Sequence, residues 1–111
     1  MNEFGSLHDL REALRQFSGA RGWRKFHSPK NLSMALIVEA AELVEHFQWV
    51  TEAESLALSD DKLAEVRDEV ADTLIYLVEL ADVLGIDLLA AARDKMQKNA
   101  LKYPPPGGDL R

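Results

Sequence analysis

Residues 60–84 read DDKLAEVRDEVADTLIYLVELADVL. On a wheel at about 100° per residue, Leu63, Val66, Val70, Leu74, Leu77 and Leu84 form one apolar edge, widened by Ala71 and Val78. Glu65, Asp68, Glu69, Asp72 and Glu79 fill the other sector, with Tyr76 among them. Apolar positions three and four apart mark an amphipathic helix rather than a strand. Ser59 is a natural N-cap, acidic residues occupy the first turn, and Gly85 is the natural stop.

The stretch upstream, residues 29–50, reads PKNLSMALIVEAAELVEHFQWV and repeats the arrangement. Ser28-Pro29 reads as an N-cap followed by proline at the first helical position. Leu32, Leu36, Ala40, Leu43 and Phe47 make its apolar edge, and Ile37, Ala41 and Val44 widen it toward Met34. Glu39, Glu42, Glu45, His46 and Trp49 lie opposite. Glu39 and Glu69 each border the apolar arc of their helix.

Two further helices flank this pair. The first runs from Leu7 to Ala20, with Ser6 as N-cap, Asp9 as its capping partner, and Leu7, Leu10, Leu14 and Phe17 as its stripe. The last follows Asp87 and runs to about Leu101. Thr51 and Glu54 have capping-box spacing, which allows one extra turn in the connector. Pro104-Pro105-Pro106-Gly107-Gly108 cannot continue a helix. The expected architecture is all-α and four-helix bundle-type, with a domain over residues 1–104 and a loose tail over 105–111. A chain of 111 residues builds only a modest core, and both apolar arcs are wide. A homodimer or homotetramer is therefore expected, with pockets that borrow residues from a neighbour.

The net charge of -6 argues against a nucleic-acid-binding module, which needs a basic patch. There is no cysteine, so thiolate chemistry and disulfides are excluded. Met1–Leu10 carries no basic-then-apolar signal pattern. No apolar run approaches the ~20 residues needed to span a membrane. A cytoplasmic protein is the expectation.

An acidic sector on an amphipathic helix is ordinarily its solvated face. Two details count against that here. A solvated face interleaves Lys or Arg at i+4, yet no Lys or Arg lies between Asn31 and Val50, and Arg67 sits on the apolar side. Trp49 and Tyr76 also stand within the acidic sectors, where they suggest a stacking surface. Glu39 with Glu42, and Glu69 with Asp72, are spaced to reach one ion from neighbouring helices. Oxygen-only ligation suits a hard cation, Mg²⁺ above all, or Mn²⁺. Di-iron bundles need Glu-x-x-His, which neither pair offers.

These residues resemble the E-x-x-E…E-x-x-D signature of the MazG-like all-α NTP pyrophosphatases. The surrounding stretches extend the likeness to the dCTP pyrophosphatase branch. Trp23-Arg24-Lys25-Phe26-His27-Ser28-Pro29-Lys30-Asn31-Leu32 resembles its W-x-x-F-H-x-P-x-N-L loop. EAAELVEHFQW over 39–49 and EVADTLIYL over 69–77 resemble its two helical motifs. Lys95-Met96, Asn99 and Tyr103-Pro104 resemble its K-M…N…Y-P. Glu65 and Asp68 also fit E-x-x-D, but the family's Asp stands just before L-I-Y-L, as Asp72 does.

The resemblance implies an enzyme that cleaves a nucleoside triphosphate between its α and β phosphates, giving a monophosphate and pyrophosphate. Glu39, Glu42, Glu69 and Asp72 would be its metal-binding and catalytic carboxylates. Trp23, His27, Trp49 and Tyr76 would line the nucleoside pocket, with Asn99 and Tyr103 near it and Lys95 and Lys102 meeting the outer phosphates. Two other readings stand beside it. One is a helical, antitoxin-like interaction module without catalysis. The other is a phosphoribosyl-ATP pyrophosphohydrolase, against which Trp49 and the Trp23–His27 loop count.

Overall fold

The computed structural model describes residues 5–107. Among the described residues five α-helices follow one another: α1 Leu7–Ala20, α2 Pro29–Glu45, α3 Glu52–Ser55, α4 Asp60–Val83 and α5 Leu88–Lys102. A single 3-10 turn, Arg24–Phe26, sits between α1 and α2. Each α-helix opens on a side chain that accepts from a backbone N–H three residues on: Ser6, Ser28, Thr51, Ser59 and Asp87. Such caps satisfy donors that have no partner within the helix. Thr51 and Glu54 bond reciprocally, so the turn allowed by their spacing forms as α3.

The second helix stops at Glu45, not at the expected Val50. Neither glycine nor proline ends it. Its last hydrogen bonds tighten instead, His46 N to Leu43 O at 3.2 Å and Phe47 N to Val44 O at 2.9 Å. Helix geometry is lost over the next few residues, and Trp49 lands in a turn. α4 ends at Val83 and Gly85 follows with φ 69°, where Ile86 N bonds back to Ala81 O at 2.8 Å. Positive φ is the conformation that only glycine adopts at no steric cost. Beyond α5, the expected tail falls partly outside view, because residues 108–111 are outside the described residues.

α4 is the centre of the chain. α2 packs along it and α1 packs across its second half, whereas α5 makes at most marginal contact with any helix. Among the described residues the buried side chains are few: Leu32 on α2, Val66, Val78 and Ala81 on α4, and Ser18 on α1. The chain is correspondingly open. Its radius of gyration is 17.6 Å, against about 13 Å for a compact domain of this length. Its accessible surface is 8806 Å², against about 6100 Å² for a folded monomer of this mass. Ile37, Val38, Val44, Leu63, Val70, Leu89 and Leu101 all remain exposed. No helix among the described residues is long and apolar enough to cross a membrane.

Candidate metal centre

The α2–α4 contact brings three acids together. Glu39 from α2 and Glu69 and Asp72 from α4 each offer a carboxylate oxygen, all within 4.8 Å of one another. Glu69 and Asp72 are three apart and so share a face of α4. Glu39 and Glu69 border the apolar arcs of their helices, so packing those arcs draws both inward. As a result, Glu39 Oε2 and Glu69 Oε2 are buried without a hydrogen-bond partner.

That arrangement is costly for anions. A buried polar atom without a partner loses its hydration and regains nothing. The carboxyl of Glu69 is pushed up to about 7, first by the adjoining carboxyl of Glu42, then by burial and by Glu39. Glu39 is also raised, first by burial, with the charges of Glu42 and Asp72 adding to it while the adjoining carboxyl of Glu69 opposes it. Like charges held this close share a proton. A divalent cation can replace that proton and satisfy both orphaned oxygens, and an all-oxygen donor set fits Mg²⁺ or Mn²⁺. Glu42 stands beside Glu69 but outside the trio. The rival register is not gathered in: Glu65 pairs with Lys62 at 3.2 Å on the surface, and Asp68 is exposed.

A cavity of about 540 Å³ opens beside the acids, between α1 and α4. Glu39 and Asp72 lie at its edge, with Tyr76 and Glu79 further along α4. Phe17, Leu14 and Leu10 from α1, and Trp23 and His27 from the loop, complete its walls. Trp23 meets Phe17 edge to face at 5.6 Å between centroids, a favoured aromatic geometry. The loop is tied at both ends. Trp23 N donates to Ser18 O at 3.0 Å, and Asn31 Nδ2 donates to Phe26 O at 2.9 Å. Tyr76 has its hydroxyl pKa raised, first by burial and then by the charges of Glu39, Glu79 and Asp72.

Of the residues expected from sequence, Trp23, His27 and Tyr76 therefore join Glu39 and Asp72 around one cavity. Trp49 does not; it is 87% exposed in the turn after α2. Lys95, Asn99, Lys102 and Tyr103 are exposed on or just after α5, away from the cavity of their own chain. Phe17, Ser18 and Glu79 were not expected there. Phe17 reads as core stripe and Glu79 as one more acid of a polar sector. Only the packing of α1 on α4 brings Phe17 and Glu79 to the cavity, with Ser18 bonded to Glu79 behind it.

The model of the MazG-like family matches residues 34–110. Curated relatives named dCTP pyrophosphatase 1, from Rattus norvegicus and Homo sapiens, are each 41% identical over 101 residues. The match takes in 89% of this chain but 59% of each relative, so the chain spans about three-fifths of their length. A crystal structure of a pyrophosphatase from Archaeoglobus fulgidus DSM 4304 superposes with a TM-score of 0.85 at 40% identity. That alignment covers 95% of this chain and 98% of the archaeal one.

Proposed function

The chain belongs to the MazG-like family, and from that premise we propose that it is a nucleoside triphosphate pyrophosphohydrolase of nucleotide pool sanitation. It cleaves the α–β phosphate bond of (d)NTPs, with dCTP or related deoxynucleotides favoured. The observation that carries this reading is the pair of buried, partnerless carboxylate oxygens on Glu39 and Glu69, with Glu39 also lining an aromatic-walled cavity. An interaction module has no use for such oxygens, whose burial only costs stability. The names of the relatives, dCTP pyrophosphatase 1 and a pyrophosphatase, support the same chemistry.

In this reading Glu39, Glu42, Glu69 and Asp72 hold Mg²⁺, or Mn²⁺ in its place. When bound, the metal neutralises phosphate charge and makes an adjoining water more acidic. The chain's own part is positioning and proton transfer. Water adds across the α–β anhydride, one P–O bond forming as another breaks, and its proton passes to a carboxylate. Glu39 and Glu42 are the candidates for that role. Trp23, His27 and Tyr76 hold the nucleoside by stacking, which tolerates any base.

The single chain leaves this site short of cations, and the bare apolar arcs need cover. We assign the domain to residues 1–104 and propose that it works as a homodimer or homotetramer completing a bundle-type core. Its surface of 8806 Å² supports this, since it far exceeds the monomer expectation. Trp49, Asn99 and Tyr103 would then approach the nucleoside of a neighbouring copy, and Lys95 and Lys102 its outer phosphates. A cytoplasmic location, where such nucleotides are found, completes the proposal.

The test is pyrophosphate release from a panel of the common NTPs and dNTPs, with Mg²⁺ and with Mg²⁺ chelated. We expect release of monophosphate and pyrophosphate from at least one deoxynucleotide, abolished by chelation. No release from any of them would overturn the proposal.

A further inference from the structure

Asp72, Tyr76 and Glu79 follow one another on one face of α4, at spacings of four and three residues, and all three line the same cavity. About 10 Å of helix rise separates Asp72 from Glu79. If the phosphates lie at the carboxylate end, that length takes a nucleoside past Tyr76 and brings the far edge of its base to Glu79.

Glu79 is prepared for a ligand there. Ser18, only 3% exposed, donates its hydroxyl to Glu79 Oε1 at 3.4 Å. The same Ser18 accepts the backbone N–H of Trp23 through its carbonyl, so the acid and the aromatic wall are fixed from one residue. Glu79 makes no ion pair among the described residues. Arg15 on α1 is engaged with Asp82 through two hydrogen bonds, one of them Nε to Oδ2 at 2.9 Å. Burial pushes the carboxyl of Glu79 up, and the neighbouring His27 and the Ser18 hydroxyl pull it back. Among the described residues Glu79 accepts the Ser18 hydroxyl at Oε1 and no side-chain donor at Oε2, which leaves that oxygen for a ligand.

We propose that Glu79 reads the base. Its carboxylate accepts a hydrogen bond from the exocyclic amino group of a cytosine seated in the cavity. It rejects the 4-oxo group of uracil or thymine, whose lone pairs would face its own. Stacking on Trp23 and Tyr76 supplies affinity without choice of base, and Glu79 supplies the choice. The inference rests on the nucleotide-hydrolysis reading only for the direction in which the nucleotide lies.

The test compares wild type with Glu79→Gln. Glutamine keeps the size but offers a carbonyl to an amino group and an amide N–H to a keto group, so it should accept both bases. Wild type should favour dCTP over dUTP in kcat/KM by at least about tenfold, the scale of one hydrogen bond to a charged group. In Glu79→Gln that ratio should fall toward one. A merely structural role would lower both substrates together and leave the ratio where it was. Binding of dCMP and dUMP, followed by calorimetry on the same proteins, should show the same preference and the same collapse, with no hydrolysis needed. A wild type without preference between dCMP and dUMP overturns the assignment of Glu79, as does a ratio unmoved by Glu79→Gln. Absence of pyrophosphate release with the dCMP preference intact would sink the hydrolysis reading and leave this one standing.

Discussion

α4 and α5 are both long helices opened by a capping side chain, yet they end in opposite surroundings. α4 is pressed by α2 on one side and by α1 on the other, so its acids lose water and crowd one another. Glu69 is pushed up to about 7 by that crowding. α5 is exposed along its whole second half, its lysines included. The contrast separates two kinds of candidate residue. On α4, burial itself signals function, because partnerless buried carboxylates are retained only at a cost. On α5, the polar residues are unremarkable as long as the chain is alone, and a role for them requires another copy.

The largest expected effect lies on the α2–α4 side. Glu39→Gln and Asp72→Asn should each lower pyrophosphate release by at least about a hundredfold, the scale of losing one preorganised electrostatic contact. Circular dichroism should show the helices intact, since neutralising these acids relieves repulsion. Full turnover in both variants would mean that the wrong carboxylates have been chosen.

The next effect follows from the sign of the Glu69 shift. Its folded pKa of about 7 is raised above the ordinary carboxyl value of 4.5, so the folded state binds more protons than the unfolded chain. Without metal, this group's contribution to stability should therefore fall as pH rises from about 4.5 through about 7, and level off above. Mg²⁺ competes with that proton, so the rise in Tm that it produces should be larger at about pH 8 than at about pH 5.5. Thermal melts at the two pH values check this. An equal shift at both would separate the metal from Glu69.

The contrast breaks differently on the α5 side. Ile37 on α2 and Leu89 on α5 are exposed in the single chain. If a second copy covers them, Ile37→Asp or Leu89→Asp should bring the sedimenting mass down toward 12.4 kDa from a multiple of it. A wild type that already sediments as a monomer would remove the case for α5 in a neighbour's site. The smallest effect is expected from Lys95→Ala and Lys102→Ala. Each should raise KM for the triphosphate several-fold with little change in binding of the monophosphate, since each supplies one exposed charge.

The helices were legible in the sequence because their signals are local. Ser28 with Pro29, Thr51 with Glu54, and Gly85 act within a few residues of themselves. The end of α2 was not, because no glycine or proline marks it and only a gradual tightening of its hydrogen bonds stops it at Glu45. The acids were legible as spacing, and their ranking by nearness to the apolar arc anticipated which oxygens are buried, those of Glu39 and Glu69. Glu79 and Ser18 were not legible as a pair. They are 61 residues apart, and only the packing of α1 on α4 joins them. Trp49 and the α5 residues lie away from the cavity of their own chain, so within a single chain nothing beyond their spacing points to a site.

Glu39, Glu69 and Asp72 are proposed to form one metal centre, and a calorimetric titration of Mg²⁺ tests this without substrate. Wild type should bind the ion with affinity that rises with pH, and Glu39→Gln, Glu69→Gln and Asp72→Asn should each lose that binding. Affinity unchanged in all three variants would contradict the account.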